Sequence, residues 1–505
     1  MRAVTAILSL AILTPGMANP AWAQSGDRPF RFGVARAVPT LDPFHTTVRE
    51  ATLVAGPLIF DTLIWRDPKS DEFKPQLAQA WQWVDDVTLD ITLRTDMNFH
   101  DGKKFSADDV VYTIRYALDP ASKVAQPSFI TWISSIEKVA DDRVRIKLVR
   151  PFGPALDYLA NLIPIMPTGF FENSNSAAGT FNGTGPYKLV AYEPGRRAEF
   201  ELTGEYPSGL PKSDAKLKSI TMRVFSDKNA ELGEFLSGNL DWIWQFSSDQ
   251  ARRIRSYPNI ALSYSPTLRV RFLEMDASGA AGVGALKDLR VRRAIAHAIN
   301  ADKIRSVLTE PGTQAIEAVC YPSQVGCQKP AVTYAYDPAK AKQLLAEAGY
   351  ANGFTADFYT WSNRTWTEAM AADLAAVGIK TNIKTLDFIT MMERRRAGET
   401  PLIDNSWGSN SINDASAVLD VFFGRPGYYL YKDDAIADRL DLARQTRDTG
   451  QRLELYKNVI DAIAEKAYAV PLFAQSTAYA YNAQFAFEPF SDEIPRFYSY
   501  SWKSK

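Results

Sequence analysis

Apolar and polar positions change period repeatedly along the chain. Residues 87–94 (VTLDITLR) alternate apolar with polar side chains as a half-buried strand does, and residues 143–149 alternate again. Between them Ala107–Leu118 carries helical spacing behind a Ser106 cap, with Asp108 and Asp109 in the first turn. Pro151, Pro154, Pro164 and Pro167 then restrict the chain to loops and short helices.

The pattern is clearest over residues 337–410. Asp337 and Pro338 open a helix that Gly349 closes. A strand over 354–361 leads to a second helix, read as capped by the box Thr365-x-x-Glu368, with Trp366, Met370, Leu374 and Val377 on one face. A strand over 379–386, a helix over 388–397 and the strand Leu402–Trp407 follow. Strand, helix, strand, helix, strand predicts a parallel sheet with right-handed crossovers. Ligands gather beyond the carboxyl ends of such strands, which puts residues 361–364, Asp387 and residues 407–410 on one rim. Arg364, before a helix start, reads either as an anion-binding group there or as a solvated loop charge.

Composition narrows the function. The 505 residues carry 57 basic and 58 acidic side chains, so no basic footprint for nucleic acid or a membrane surface exists. Three scattered histidines and two cysteines form no local metal motif. Gly282-Val-Gly284 lacks the third glycine of a dinucleotide turn, and neither a GxSxG elbow nor a phosphate loop occurs. Acid pairs at Asp85-Asp86, Asp108-Asp109 and Asp433-Asp434 are adjacent in sequence, so their side chains diverge, which argues against a hydrolase dyad. The Arg394-Arg395-Arg396 run reads as a solvated helix face, and His297, off the Val291, Ile295, Ile299 stripe, as a surface or hydrogen-bonded histidine.

Residues 1–23 begin with Arg2, run apolar through Leu13 and end Ala21-Trp22-Ala23, the pattern of a secretory leader with the mature chain starting at Gln24. In an oxidising compartment Cys320 and Cys327 read as a disulfide rather than two buried thiols, and their spacing is not that of a CxxC redox pair.

Several longer strings carry a resemblance. Lys74-Pro-Gln-Leu-Ala-Gln-Ala-Trp81, Leu89-Asp-Ile-Thr-Leu-Arg94, Phe99-His-Asp-Gly102 and Phe105-Ser-Ala-Asp-Asp-Val110 resemble the signature stretch of the family 5 extracellular solute-binding proteins. These are the peptide, opine and nickel receptors of ABC importers. Leu41-Asp-Pro43, Gly183-Thr-Gly-Pro-Tyr187, Leu236-Ser-Gly238 with Asp241, Val291-Arg-Arg-Ala-Ile295 and the segment from Tyr336-Asp337 to Leu345-Ala-Glu-Ala-Gly-Tyr350 recur in the order that family uses.

The resemblance implies an α/β, two-lobed periplasmic-binding-protein fold of type II, the large class with an extra subdomain, built from mixed sheets flanked by helices. Lobe I would comprise residues 24–70, 182–270 and 480–505, with 71–181 as the subdomain, and lobe II residues 271–479. It implies a monomeric periplasmic receptor, without cofactor, metal or catalysis, that passes a small peptide or opine-like solute to an inner-membrane ABC permease and its ATPase subunits. An exported hydrolase, a receptor for a sugar-type or amine ligand, and a chemoreceptor stand as alternatives. In dipeptide-binding members a Trp-x-Gly-Asp stretch supplies a carboxylate for the peptide's α-amino group, and an upstream arginine holds its carboxylate. The matching stretch here is Trp407-Gly408-Ser409-Asn410, so an amide replaces the acid, with Asp414 or Asp404 as substitute and Arg364 as the counterpart arginine. The candidate contacts are therefore Arg364, Trp361, Trp407, Ser409, Asn410 and Asp414, joined from lobe I by Trp242, Trp244 and His45.

Overall fold

A computed structural model describes residues 28–173, 181–361 and 364–503. The leader and the start at Gln24 lie outside the described residues. Phe30–Val34 buries Phe30, Phe32 and Val34 completely and pairs in parallel with Ser219–Val224 and Trp242–Trp244. Ser219–Val224 continues antiparallel through Arg197–Leu202 to Tyr187–Glu193. A separate antiparallel sheet takes Ala78–Asp85, Thr88–Leu93, Arg143–Leu148 and Ile133–Ala140 in that spatial order. Its inward side chains, Leu89, Ile91, Val144 and Ile146, belong to the same apolar core as Phe30 and Phe32. The helix Ala107–Leu118 starts at the expected Ser106, here part of a capping box: Asp109 accepts from the Ser106 amide at 3.0 Å and also from the Thr168 amide at 2.8 Å.

The parallel unit read from the sequence is present. Phe354–Thr360 lies between Ile379–Thr385 and Leu402–Trp407, parallel to both. The crossovers are the helices Arg364–Ala376 and Phe388–Arg396. The first begins one residue before Thr365, so Thr365 lies within the helix and is not its cap.

Two long strands tie the halves of the molecule together. Ile260–Met275 and Ala469–Asn482 pair antiparallel from Ile260 opposite Asn482 to Glu274 opposite Ala469, and the register breaks between Pro266 and Val270. On one side of the break Ala469–Asn482 also pairs with Trp242–Trp244; on the other Ile260–Met275 pairs with Leu402–Trp407. A proline and an interrupted ladder where two strands change partners are features expected of a hinge, which makes Ile260–Met275 and Ala469–Asn482 the candidate hinge strands.

One expectation is overturned. Arg395 is 2% exposed and its guanidinium makes a two-pronged pair with the buried Glu274, at 2.6 and 3.1 Å. Tyr431 and Asn405 also donate to Glu274, at 2.8 and 2.6 Å. The arginine run straddles a helix edge: Arg395 shares the buried face with Met391 and Met392 while Arg394 points to solvent.

Candidate functional site

The carboxyl ends of the three parallel strands converge on an aromatic wall. Trp361 follows Thr360, Phe388 opens the helix after Ile379–Thr385, and Trp407 ends its strand. Phe388 sits between the two indoles, 4.9 Å from Trp361 and 6.5 Å from Trp407 between ring centroids, and is 36% exposed. The indole N–H groups are turned inward: Trp407 donates to the Ala417 carbonyl at 2.7 Å and Trp361 to Asn405 Oδ1 at 3.3 Å. Trp407 also packs edge-on against Phe422, and all three rings of the wall stay partly exposed.

The chain then turns through Ser409, Asn410 and Ser411, three consecutive non-glycine residues with φ of 54°, 48° and 62°. Left-handed backbone at an L-residue costs about 1–2 kcal/mol, so the surroundings must impose it. The Ser411 hydroxyl donates to the Asp492 carbonyl at 2.7 Å, and Asn413 Nδ2 donates to Asp71 at 2.9 Å. From below, Gln324 donates to the carbonyls of Ile412 and Asp414 at 3.0 and 3.2 Å. Gln324 lies within the loop closed by the Cys320–Cys327 disulfide, whose Cα atoms are 5.8 Å apart. The disulfide loop is thus the floor of the site loop.

Beside Ser409 and Asn410 opens a cavity of about 400 Å³ between residues 128–158 and residues 409–444. Phe129, Trp132, Phe152 and Tyr158 line one side and Asp420 the other. Burial, reinforced by Asp414 and Asp441 and opposed by Arg444, pushes the Asp420 carboxyl up to about 7.

The sequence-derived residues divide. Trp361, Trp407, Ser409 and Asn410 come together on this rim. Asp414 is turned inward, its carboxylate held by Arg452 at 2.7 Å, Tyr456 at 3.1 Å and the Ser416 amide at 3.0 Å. Asp404 is fully buried against Arg271, at 2.5 Å. Arg364 stands on the surface, its side chain 57% exposed, paired with Glu368 at 2.7 Å. Trp242 and Trp244 are buried in the lobe I core among Phe32, Tyr479 and Phe497. His45 bonds Asp42 at 2.7 Å and Tyr116 at 3.2 Å, which ties its loop to the subdomain; the Asp42 bond raises its pKa. Sequence reasoning missed Phe388, Asp420 and Arg269. Arg269 faces Gly408 from the break in the hinge strand, half-buried. The only signal for Phe388 was its position immediately after Asp387 on the predicted rim.

The model of the bacterial extracellular solute-binding proteins, family 5 Middle, matches residues 72–429. The chain belongs to that family. As a family 5 solute-binding protein it serves an ABC transporter, passing captured solute to a permease with ATPase subunits. The glutathione-binding protein GsiB of Escherichia coli K12 is 26% identical to it over 94% of each chain. DppA from Helicobacter pylori, in complex with the peptide STSA, superposes with a TM-score of 0.78 at 23% identity, covering 95% of this chain and 99% of that one. NikA from Brucella suis, in complex with Fe(III)-EDTA, gives 0.82 at 24% identity over 94% and 100%. These likenesses establish the two-lobed fold.

Proposed function

We propose that this family 5 protein works in the periplasm and captures a small peptide or peptide-like solute, opine-like molecules included, without converting it. The observation that carries the reading is the braced left-handed turn Ser409–Ser411 beside an aromatic wall and a cavity of about 400 Å³, a volume suited to a small solute. Trp361, Phe388 and Trp407 contact the solute's apolar portions, and Ser409 and Asn410 its polar backbone. The lobe division proposed is residues 24–70, 182–270 and 480–505 against 271–479, with 71–181 as the subdomain. It is supported by the gap in the ladder at Pro266–Val270, the longer of two register shifts between these strands.

The acid pairs support binding over hydrolysis. Asp109 is consumed in a capping box, Asp433 caps the helix Asp434–Gln445 and accepts from Tyr468, and Asp86 faces Arg447. The likeness to the glutathione-binding GsiB makes glutathione the first solute to titrate. Calorimetry with glutathione and small tripeptides should give one site per chain. The complex should have a higher melting temperature and a smaller radius of gyration in solution scattering, and the solute should be recovered unchanged. Catalytic release of a cleaved product would replace this reading with the hydrolase.

A further inference from the structure

We infer that Arg269 holds a carboxylate of the solute and gives the cleft a preference for acidic ligands over their neutral amides; this rests on the binding reading above. Arg269 belongs to the segment between Pro266 and Val270 where the hinge strand leaves its ladder, and its guanidinium lies against Gly408 at the start of the site loop. Among the described residues its side chain has no hydrogen-bond or ion-pair partner. Its charged surroundings are Glu493, Arg49, Arg36 and Arg271, drawn from both ends of the chain and both sides of the hinge.

The acids in that group are already committed. Glu493 receives Arg49 at 2.7 Å through one oxygen and the Thr477 hydroxyl at 2.6 Å through the other. Asp404 receives Arg271 and Thr367, both at 2.5 Å. Four guanidiniums therefore share two carboxylates, and the two left over are the exposed Arg36 and the half-buried Arg269. Like charges crowd Arg269 while burial strips it of water, so an arriving anion gains from both effects. A planar guanidinium matches a carboxylate's two oxygens, which a lysine would not.

Gly408 makes the arrangement possible. Its backbone is ordinary, so it is not required for conformation; a Cβ there would stand 2.7 Å from Arg269 Nη2 and 3.1 Å from Cζ. The methyl of Gly408→Ala would displace the guanidinium and leave the loop's path unchanged.

The carboxylate is either an acidic side chain or a peptide's terminus, and the probes separate them: Ala-Glu-Ala, Ala-Gln-Ala, and Ala-Gln-Ala with an amidated terminus, each titrated into wild type, Arg269→Gln, Arg269→Lys and Gly408→Ala. Arg269→Gln should weaken the carboxylate-bearing probes by about tenfold or more and leave the fully amidated one unchanged. Gly408→Ala should follow Arg269→Gln, Arg269→Lys should fall between, and the unliganded melting temperature should stay put. Equal affinity of Arg269→Gln and wild type for every probe, or an equal loss for the amidated one, overturns the assignment. If no tripeptide binds wild type, the peptide reading fails alone, and the solute released from freshly purified protein decides. An anionic solute absent from Arg269→Gln supports the assignment; a neutral or cationic solute, or one retained by the variant, overturns it.

Discussion

Arg395 and Asn410 separate structural from functional polarity. Removing Arg395 strands Glu274, fully buried, together with the Tyr431 and Asn405 donors it shares. Breaking such a pair costs about 3–5 kcal/mol, because a charge is left without compensation in a dry interior. Arg395→Ala should therefore lower chemical-denaturation stability by that order, whereas Arg394→Ala, at the surface, should stay within about 0.5 kcal/mol. Asn410 should behave in the opposite way. It is exposed and bears a left-handed backbone that asparagine tolerates better than most residues. Asn410→Gly should preserve the turn, since glycine adopts φ > 0 freely, yet weaken solute binding by removing the amide. Retained affinity in calorimetry would exclude an Asn410 contact. The three-arginine run misled because adjacent helical residues differ by about 100° in direction, so charge density alone did not reveal which one faces inward. Spacing did: Arg395 stands at i+4 and i+3 from the buried Met391 and Met392.

The elements that announce themselves are those whose partners are close in sequence. The unit from Phe354 to Trp407 was legible because its strands, caps and crossovers follow one another, and its strand ends gave Trp361, Trp407 and Asn410. The hinge was not legible: Ile260–Met275 and Ala469–Asn482 are about 200 residues apart and largely buried, so neither shows a clean alternation along its length. Arg269 was hidden with it, since Arg269 and Arg271 alternate alike in the sequence and nothing there shows that the ladder breaks at the first of them. Phe388 was hidden as an ordinary helix-opening residue. The family strings named the fold but lie mostly in architecture. Ser106 illustrates this: its box with Asp109 starts the helix Ala107–Leu118 far from the solute. Ser106→Ala should cost about 1 kcal/mol in denaturation and leave solute affinity untouched. A change in affinity would place the subdomain helix in the binding mechanism.

Across the whole molecule residues 71–158 meet residues 413–452 at several points. Arg447 stacks on Trp83 at 4.1 Å, the Gly153 amide donates to the Arg444 carbonyl at 2.7 Å, and Asn413 reaches Asp71. Asp157 is buried in this seam near Arg66, Asp414 and Arg452, and burial pushes its carboxyl up to about 7, the arginines opposing. In the unfolded chain the group titrates at about 4. Between those values the folded protein holds a proton that the unfolded chain lacks. The contribution to stability is thus complete below about pH 4 and declines until about pH 7. Asp157→Asn mimics the protonated form, so its stability relative to wild type should rise across that window and level off above it. A flat difference in melting curves from pH 4 to 8 would mean that Asp157 is ionised throughout.

The proposed role is to hold a carboxylate-bearing solute between the lobes and return it unaltered. Mass spectrometry of small molecules freed by denaturing the freshly purified protein, repeated after prolonged incubation with an excess of the same solute, tests it most directly. One anionic solute near equimolar with the protein, unchanged in mass after incubation, is the expected result. A neutral solute, or conversion of the excess into product, would contradict it.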